Sequence, residues 1–304
     1  MDDEIAVVGG TGYTGREIVS LLLKAGHSGV RVLTGHPDRP HPFGSSIRIY
    51  RLEFDDPSTM HGALRGVRVL YNTYWVRFRR GDVSFERAVS NTARLFEAAR
   101  EEGVERVVHI SITNPSLDSA YGYFRGKAAV EEELKRSGLS YAILRPTIIF
   151  GREDILINNM AWIIRRFRFF PVFGSGEYKV TPVYVGDVAS ACIKYAHTTT
   201  NVVLDCVGPE TYTFKSLLET IARAVGVRAL IFGSPKALSM LLGRILSLLL
   251  GEPVVTEEEV GALMDNLLYS SAEPLGSTRF SEWVTQNSQD LGVKFASEIQ
   301  RHYI

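Results

Sequence analysis

The sequence predicts an α/β fold: a doubly wound parallel sheet covered by helices, with a smaller, interleaved C-terminal region. Three observations predict it. Short apolar runs alternate with helical periodicities through the first half of the chain. A glycine-spaced turn separates the first run from the first helix. Beyond Gly151 the alternation loosens. Repeated strand–helix alternation calls for a parallel sheet, because each parallel connection must cross over the sheet face.

The first strand is Ile5–Val8, an apolar run stopped by Gly9 and suited to burial on both faces. A helix follows from Gly15 to Leu23, with Ile18, Val19, Leu22 and Leu23 on one face and Gly26 as its stop. Val30–Thr34, Ile47–Phe54 and Val67–Tyr71 supply the next three strands. Ser84–Glu102 is helical, with Phe85, Ala88, Val89, Leu95, Phe96 and Ala99 on one face. Val107–Ile110 is the fifth strand, a helix spans about Tyr121–Ser137, and Tyr141–Leu144 is the sixth strand before Arg145-Pro146. Later, Val183–Tyr195 reads as a strand edge entering a helix, and Val202–Cys206 as a late strand. Phe214–Val225 is an amphipathic helix with Thr213 placed to cap it, and an acidic helix runs over Glu257–Leu268. The expected division is a dinucleotide-binding domain over 1–150 and a substrate or partner region over 151–304, with 183–206 returning to the first domain's sheet.

Composition narrows the functions. The 304 residues carry 34 Lys+Arg against 34 Asp+Glu, so no global attraction to nucleic acid is expected. The two cysteines, Cys192 and Cys206, lie in different segments and form no Cys-x-x-Cys site, which suits a reducing compartment. The seven histidines show no short helical pairing, so no metal is expected. Met-Asp-Asp-Glu leads directly into a strand without basic or apolar targeting character, and a cytoplasmic location is the expectation.

The turn reads Gly9-Gly10-Thr11-Gly12-Tyr13-Thr14-Gly15. Glycines at 9, 12 and 15 permit unusual dihedrals, close approach of the backbone to a pyrophosphate, and tight packing of helix on strand. The helix N-terminus then offers N–H groups and a positive dipole to the phosphates. Placed between strand and helix, this is the fingerprint of a Rossmann-type dinucleotide site. An acid at the end of the second strand would hold the ribose hydroxyls of NAD. Thr34-Gly35-His36 stands there instead, with Arg39 just beyond, and the two basic side chains suit a 2′-phosphate. NADP is therefore the preferred cofactor and NAD the alternative.

Tyr123-Phe124-Arg125-Gly126-Lys127 sets a phenol and an ammonium four residues apart on one helix face. A tyrosine near pKa 10 is a poor base at neutral pH, and a neighbouring lysine charge favours its phenolate. The pair lies on the helix after the fifth strand, beyond Ser111 and Thr113.

Taken with the glycine turn, the Ser/Thr at the end of the fifth strand, the segment SGLSYAILRPTIIFG, the later TPVYVGDVA and the VGPE before a Thr-capped helix, the chain resembles a short-chain dehydrogenase/reductase. The version is the extended or atypical, epimerase/dehydratase-like one, over roughly the first two-thirds of the chain. Within it, the chain is most similar to the branch containing the NADPH-binding accessory subunit of respiratory complex I. The resemblance implies that Tyr123 is the acid/base, Lys127 its helper, and Ser111 or Thr113 the hydroxyl on the reacting oxygen. It places Asn72, Thr73 and Tyr74 along the cofactor and Asn91 on the preceding helix. Glu53, or Asp55 or Asp56, would lie by the adenine, and Pro146 and Thr147 by the nicotinamide. Two departures stand out. The fifth strand ends Ile110-Ser111-Ile112-Thr113 rather than in a double serine. The fourth ends Tyr71-Asn72-Thr73-Tyr74-Trp75, where sugar-nucleotide members carry small residues. Both argue against a nucleotide-sugar substrate.

Two further clusters bear on ligands. Arg77, Arg79 and Arg80 follow the fourth strand, and Arg165, Arg166 and Arg168 sit among Trp162, Phe167, Phe169 and Phe170. Guanidiniums so placed either grip an anionic, partly aromatic substrate or lie on solvated faces. The apolar stretch Ala237–Leu250 is too short for a bilayer crossing. Burial within the monomer is its favoured role; a pocket cover, subunit contact, protein partner or membrane-surface contact are the others. The expected function is hydride transfer on a small-molecule carbonyl or alcohol, by an oxidoreductase or an epimerase/dehydratase. The alternative is a non-catalytic NADPH-binding subunit or sensor in a larger assembly.

Overall fold

The computed structural model describes residues 5–79 and 81–299. In chain order the elements are β1 (Ile5–Val8), α1 (Tyr13–Lys24), β2 (Val30–Thr34), β3 (Ile47–Arg51), α2 (Pro57–Leu64), β4 (Val69–Asn72), α3 (Phe85–Glu101), β5 (Arg106–Ile110), α4 (Gly122–Arg136) and β6 (Ser140–Pro146). There follow β7 (Ile149–Phe150), α5 (Leu156–Phe167), β8 (Phe169–Phe173), β9 (Lys179–Val180), β10 (Val183–Tyr184), α6 (Val185–Ala196) and β11 (Val202–Cys206). The chain closes with β12 (Tyr212–Thr213), α7 (Phe214–Ala224), β13 (Leu230–Ser234), α8 (Lys236–Leu250), α9 (Glu257–Met264) and α10 (Phe280–Gln286).

Two compact units result, residues 1–146 with 185–205, and residues 147–184 with 206–304. The first unit is built on a seven-stranded sheet in the order β11-β6-β5-β4-β1-β2-β3. From β6 to β3 every neighbouring pair runs parallel. The chain winds outward from β1 to β3, then crosses back to place β4 on the other side of β1. That reversal makes a switch point, and crevices at the carboxyl ends of strands at such points receive ligands. β2 and β5 are buried along their whole length, as parallel strands covered on both faces require. One face packs Ala6, Val8, Leu70, Val107 and Ile143 against Leu95 and Phe96 of α3 and Val130 and Leu134 of α4. Buried Arg106 ties the returning segment to this unit, donating to the Tyr195 and Thr200 carbonyls and to the Ser140 and Thr198 hydroxyls.

Thr213 caps its helix as expected, and polar side chains cap three others. Ser84 accepts from Arg87 N at the start of α3, Asp56 from Ser58 N at α2, and Thr213 from Ser216 N at α7. Thr256 and Glu259 form a full capping box on α9.

The second unit has its own core, in which α5, α7 and α10 bury Ile157, Ile164, Leu217, Leu218, Ile221, Phe280 and Val284. Two expectations are corrected here. The acidic helix ends at Met264, short of Leu268, with Asp265 as its C-cap. The apolar stretch forms α8, yet only its Ser239 and Met240 are buried. Leu238, Leu241, Ile245, Leu248 and Leu249 are exposed, the last two at 84% and 76%, so the expected burial within the chain does not occur. No helix among the described residues is long and apolar enough to cross a membrane.

Candidate functional site

The glycine turn is a cradle that side chains would fill. A Cβ on Gly15 would stand 2.2 Å from the Gly9 carbonyl oxygen, and one on Gly10 would stand 2.8 Å from Val32 Cγ2. Gly9 holds φ +73, a left-handed conformation that glycine adopts without strain. Gly12 N donates to Gly9 O at 2.8 Å and Gly12 caps α1 in an extended conformation. The first turn of α1 carries no acid, so nothing opposes the dipole there. Arg16 donates to the Thr11 carbonyl, steadying the loop from within the helix. Tyr13 and Thr14 open the helix itself. The residues present fit a dinucleotide pyrophosphate.

At the end of β2, His36 N donates to Thr34 Oγ1, and Arg39 N closes a turn onto the His36 carbonyl. Partial burial and then the nearby Arg39 charge lower the His36 pKa. The carboxylates expected by the adenine are all engaged with the protein. Glu53 lies 3.5 Å from Arg51, Asp55 pairs with Arg87 and Arg94 at 2.8 and 2.9 Å, and Asp56 caps α2. Tyr74 stacks obliquely on Phe54 at 4.7 Å, and its hydroxyl accepts from Asn91.

The end of β4 is bound into the sheet. Thr73 Oγ1 donates to the Val8 carbonyl, and Asn72 gives its amide nitrogen to His109 Nδ1 and its oxygen to Tyr74 N. His109 is fully buried, and burial followed by the Lys127 charge lowers its pKa well below the usual range. With Nδ1 accepting, the neutral ring carries its proton on Nε2, which has no partner among the described residues.

Tyr123 and Lys127 lie one turn apart on α4. Lys127 is 3% exposed, and its ammonium donates to the Ile110 carbonyl at 2.9 Å. Burial lowers its pKa to about 7, with Glu131 pulling in the opposite direction. The Tyr123 ring meets Trp75 and Phe85 edge-on, each at 5.8 Å.

Ser111 and Thr113, indistinguishable by spacing, differ in the structure. Ser111 donates to Glu131 Oε1 at 2.5 Å, and Glu131 is clasped by Arg145 through both oxygens. Thr113 is fully buried, its amide bound to the Pro146 carbonyl and its hydroxyl without a partner among the described residues. Thr147 belongs to the second unit and donates its hydroxyl to the Thr181 carbonyl.

The arginine clusters divide similarly. Arg79 pairs with Glu86 at 2.6 Å, Arg77 lies over Phe78, and Arg80 falls outside the described residues. Arg165 spends its guanidinium on the Leu291 and Ser288 carbonyls, and Arg168 ends α5 in a left-handed conformation. Sequence reasoning passed over Glu131, Arg145, His109 and Gly126. Trp75 stood out as too large for its place and as the start of the aromatic and arginine-rich segment after the fourth strand. Those two features were the available signal.

Residues 9–155 match the NAD(P)H-binding family model. Among curated proteins, the mitochondrial NADH dehydrogenase [ubiquinone] 1 alpha subcomplex subunit 9 of Arabidopsis thaliana is 29% identical over 70% of this chain and 56% of its own length. The subunit of the same name from Rattus norvegicus is 29% identical over 84% of this chain and 70% of its own. The chain thus spans little more than half of the plant relative. Among solved structures, the triphenylmethane reductase of Citrobacter sp. complexed with NADP(H) superposes with a TM-score of 0.74 at 18% identity, covering 93% of this chain and 99% of that one. Residues 9–155 are an NAD(P)H-binding domain, carried by a chain similar to the complex I alpha-subcomplex subunit 9 proteins.

Proposed function

We propose that the chain is an NADP(H)-dependent oxidoreductase of the short-chain dehydrogenase/reductase type, acting on a small-molecule carbonyl or alcohol. The observation that carries this reading is the Tyr123–Lys127 pair one turn apart on α4, with the Lys127 ammonium on the Ile110 carbonyl at the end of β5 and the Thr113 hydroxyl, three residues further on, without a partner among the described residues. The dinucleotide, when bound, supplies or accepts the hydride. Tyr123 gives a proton to the carbonyl oxygen, and in the reverse direction takes it from the alcohol. Thr113 donates a hydrogen bond to that same oxygen, because Ser111 is held on Glu131. Lys127 favours the phenolate of Tyr123 by its charge, and its lowered pKa lets it exchange protons near neutral pH. His36 and Arg39 receive the 2′-phosphate, which is the basis for preferring NADP over NAD. The same machinery serves an epimerase or dehydratase that returns the hydride to its substrate. A Tyr123→Phe exchange tests the reading: turnover should fall while dinucleotide binding is kept.

A second reading is favoured by two observations. The relatives are named as subunits of a multisubunit dehydrogenase, and α8 leaves a row of leucines uncovered. On that reading the chain holds NADPH as a structural or sensing ligand within a protein assembly. Unchanged NADPH retention in Tyr123→Phe without any turnover by the wild type would favour it.

A further inference from the structure

The buried Lys127 ammonium lies under the Trp75 indole. Trp75, in the segment after β4, places its ring centroid 4.7 Å from Lys127 Nζ. Behind the indole stands Phe85, the first residue of α3, parallel to it within 4° at 6.1 Å. The benzo edge is lodged where Gly126 lacks a side chain. A Cβ there would lie 2.8 Å from Trp75 Cη2, 3.0 Å from Cζ2 and 3.4 Å from Phe85 Cβ. The indole N–H is buried with no partner among the described residues, so packing and the ammonium, not a hydrogen bond, hold the ring.

We propose that Trp75 is a positioning residue of the Tyr123–Lys127 pair: seated in the notch at Gly126, its indole keeps water from the Lys127 ammonium and directs it at the Ile110 carbonyl. The proposal rests on the oxidoreductase reading for its catalytic meaning, but not for its geometry. A lysine charge stripped of water is strongly disfavoured, and one aromatic face returns only part of that loss. The cover therefore lowers the proton affinity of Lys127 more than the ring's attraction restores it. Other charges facing the ammonium do not reverse the balance. His109 from β5 is neutral. Glu131, one turn along α4, is already clasped by Arg145 of β6 and bound by Ser111. Tyr123 approaches from the preceding turn, and α3 presents the Phe85 ring, with Arg79 and Glu86 paired beside it. The consequence is a lysine that exchanges its proton near neutral pH, next to the tyrosine that must be recharged.

The test needs no substrate. In full-length protein labelled with [ε-13C]lysine, the Lys127 resonance is assigned by its loss in Lys127→Arg and followed from pH 5 to 11. Wild type should show a midpoint near 7. In Trp75→Ala water replaces the indole, and the midpoint should rise by about two units or more; Trp75→Phe keeps a ring over the ammonium and should stay within about one unit of wild type. Gly126→Ala expels the indole without touching Trp75 and should also raise the midpoint, so the test survives if Trp75→Ala fails to fold. A midpoint in these two variants that is unchanged, or lower than in wild type, overturns the proposal. Failure here with loss of turnover in Tyr123→Phe refutes the cover alone; success here with full turnover in Tyr123→Phe refutes the oxidoreductase reading alone.

Discussion

The Ser111 hydroxyl donates to Glu131 Oε1 at 2.5 Å, and on the proposed oxidoreductase reading this bond leaves Thr113 as the hydroxyl beyond β5 for chemistry. Glu131 is 1% exposed and grips Arg145, so Ser111 completes a buried ionic cluster. Thr113, two residues on, has no such duty. The expected outcome is a division of labour. Ser111→Ala should cost about 1–3 kcal/mol of stability by leaving a buried carboxylate short of a donor, with turnover of the folded protein little changed. Thr113→Val should keep stability and lower kcat. Thermal unfolding beside steady-state rates checks both, and the opposite assignment would return Ser111 to the reacting oxygen.

Lys127 should also mark the pH dependence of folding. Its folded pKa, about 7, lies below the ordinary lysine value. Between the two, the unfolded chain binds the extra proton and the folded chain does not. Stability therefore rises with pH through that window, by at most about 1.4 kcal/mol per pH unit from this one group. Below pH 7 both states are protonated and the contribution to the slope vanishes. Urea unfolding of wild type and Lys127→Met from pH 7 to 10 should show the rise in wild type and its loss in the variant.

The cradle predicts a contrast between two glycines. Gly15→Ala drives a Cβ to 2.2 Å from the Gly9 carbonyl, which neither backbone can yield without opening the turn. A loss of about 1–3 kcal/mol is expected from the overpacking, with a marked fall in NADPH affinity. Gly62, within α2, meets nothing within 4 Å, so Gly62→Ala should stabilise by about 0.5–1 kcal/mol. Calorimetry and equilibrium dialysis read the two.

His36 should make NADPH recognition pH-dependent. Burial and Arg39 hold its pKa below 6.5, so at neutral pH the ring is largely uncharged. A 2′-phosphate beside it favours the protonated ring, and the ratio of NADPH to NADH affinity should rise as pH falls from 8 to 5.5. His36→Gln should flatten that rise. A ratio independent of pH in wild type would remove His36 from the phosphate site.

Much of the first unit is legible in the chain because its signals are local. Gly9 and Gly12 fall between a strand and a helix and Gly15 in that helix's first turn, Thr213 caps where its side chain predicts, and Tyr123 and Lys127 share a helix face through spacing alone. What stayed hidden depends on residues far apart in sequence. β8 and β13 pair in parallel, Phe169 beside Leu230, across an intervening stretch that local periodicity does not bridge. The grip of Arg145 on Glu131, and the seat of Trp75 at Gly126, arise from elements meeting in space. α8 misled for another reason. Its leucines signal burial, but the residues that turn inward are Ser239 and Met240, and Ser239 meets the Ser234 hydroxyl there.

The most direct measurement is NADPH oxidation by a panel of aldehydes, ketones and quinones, alongside NADPH affinity, in wild type and Tyr123→Phe. The account predicts turnover in wild type, a loss of about 100-fold or more in the variant, and NADPH affinity within about threefold of wild type in both. Equal rates in the two proteins, or no oxidation by wild type with any member of the panel, would contradict it.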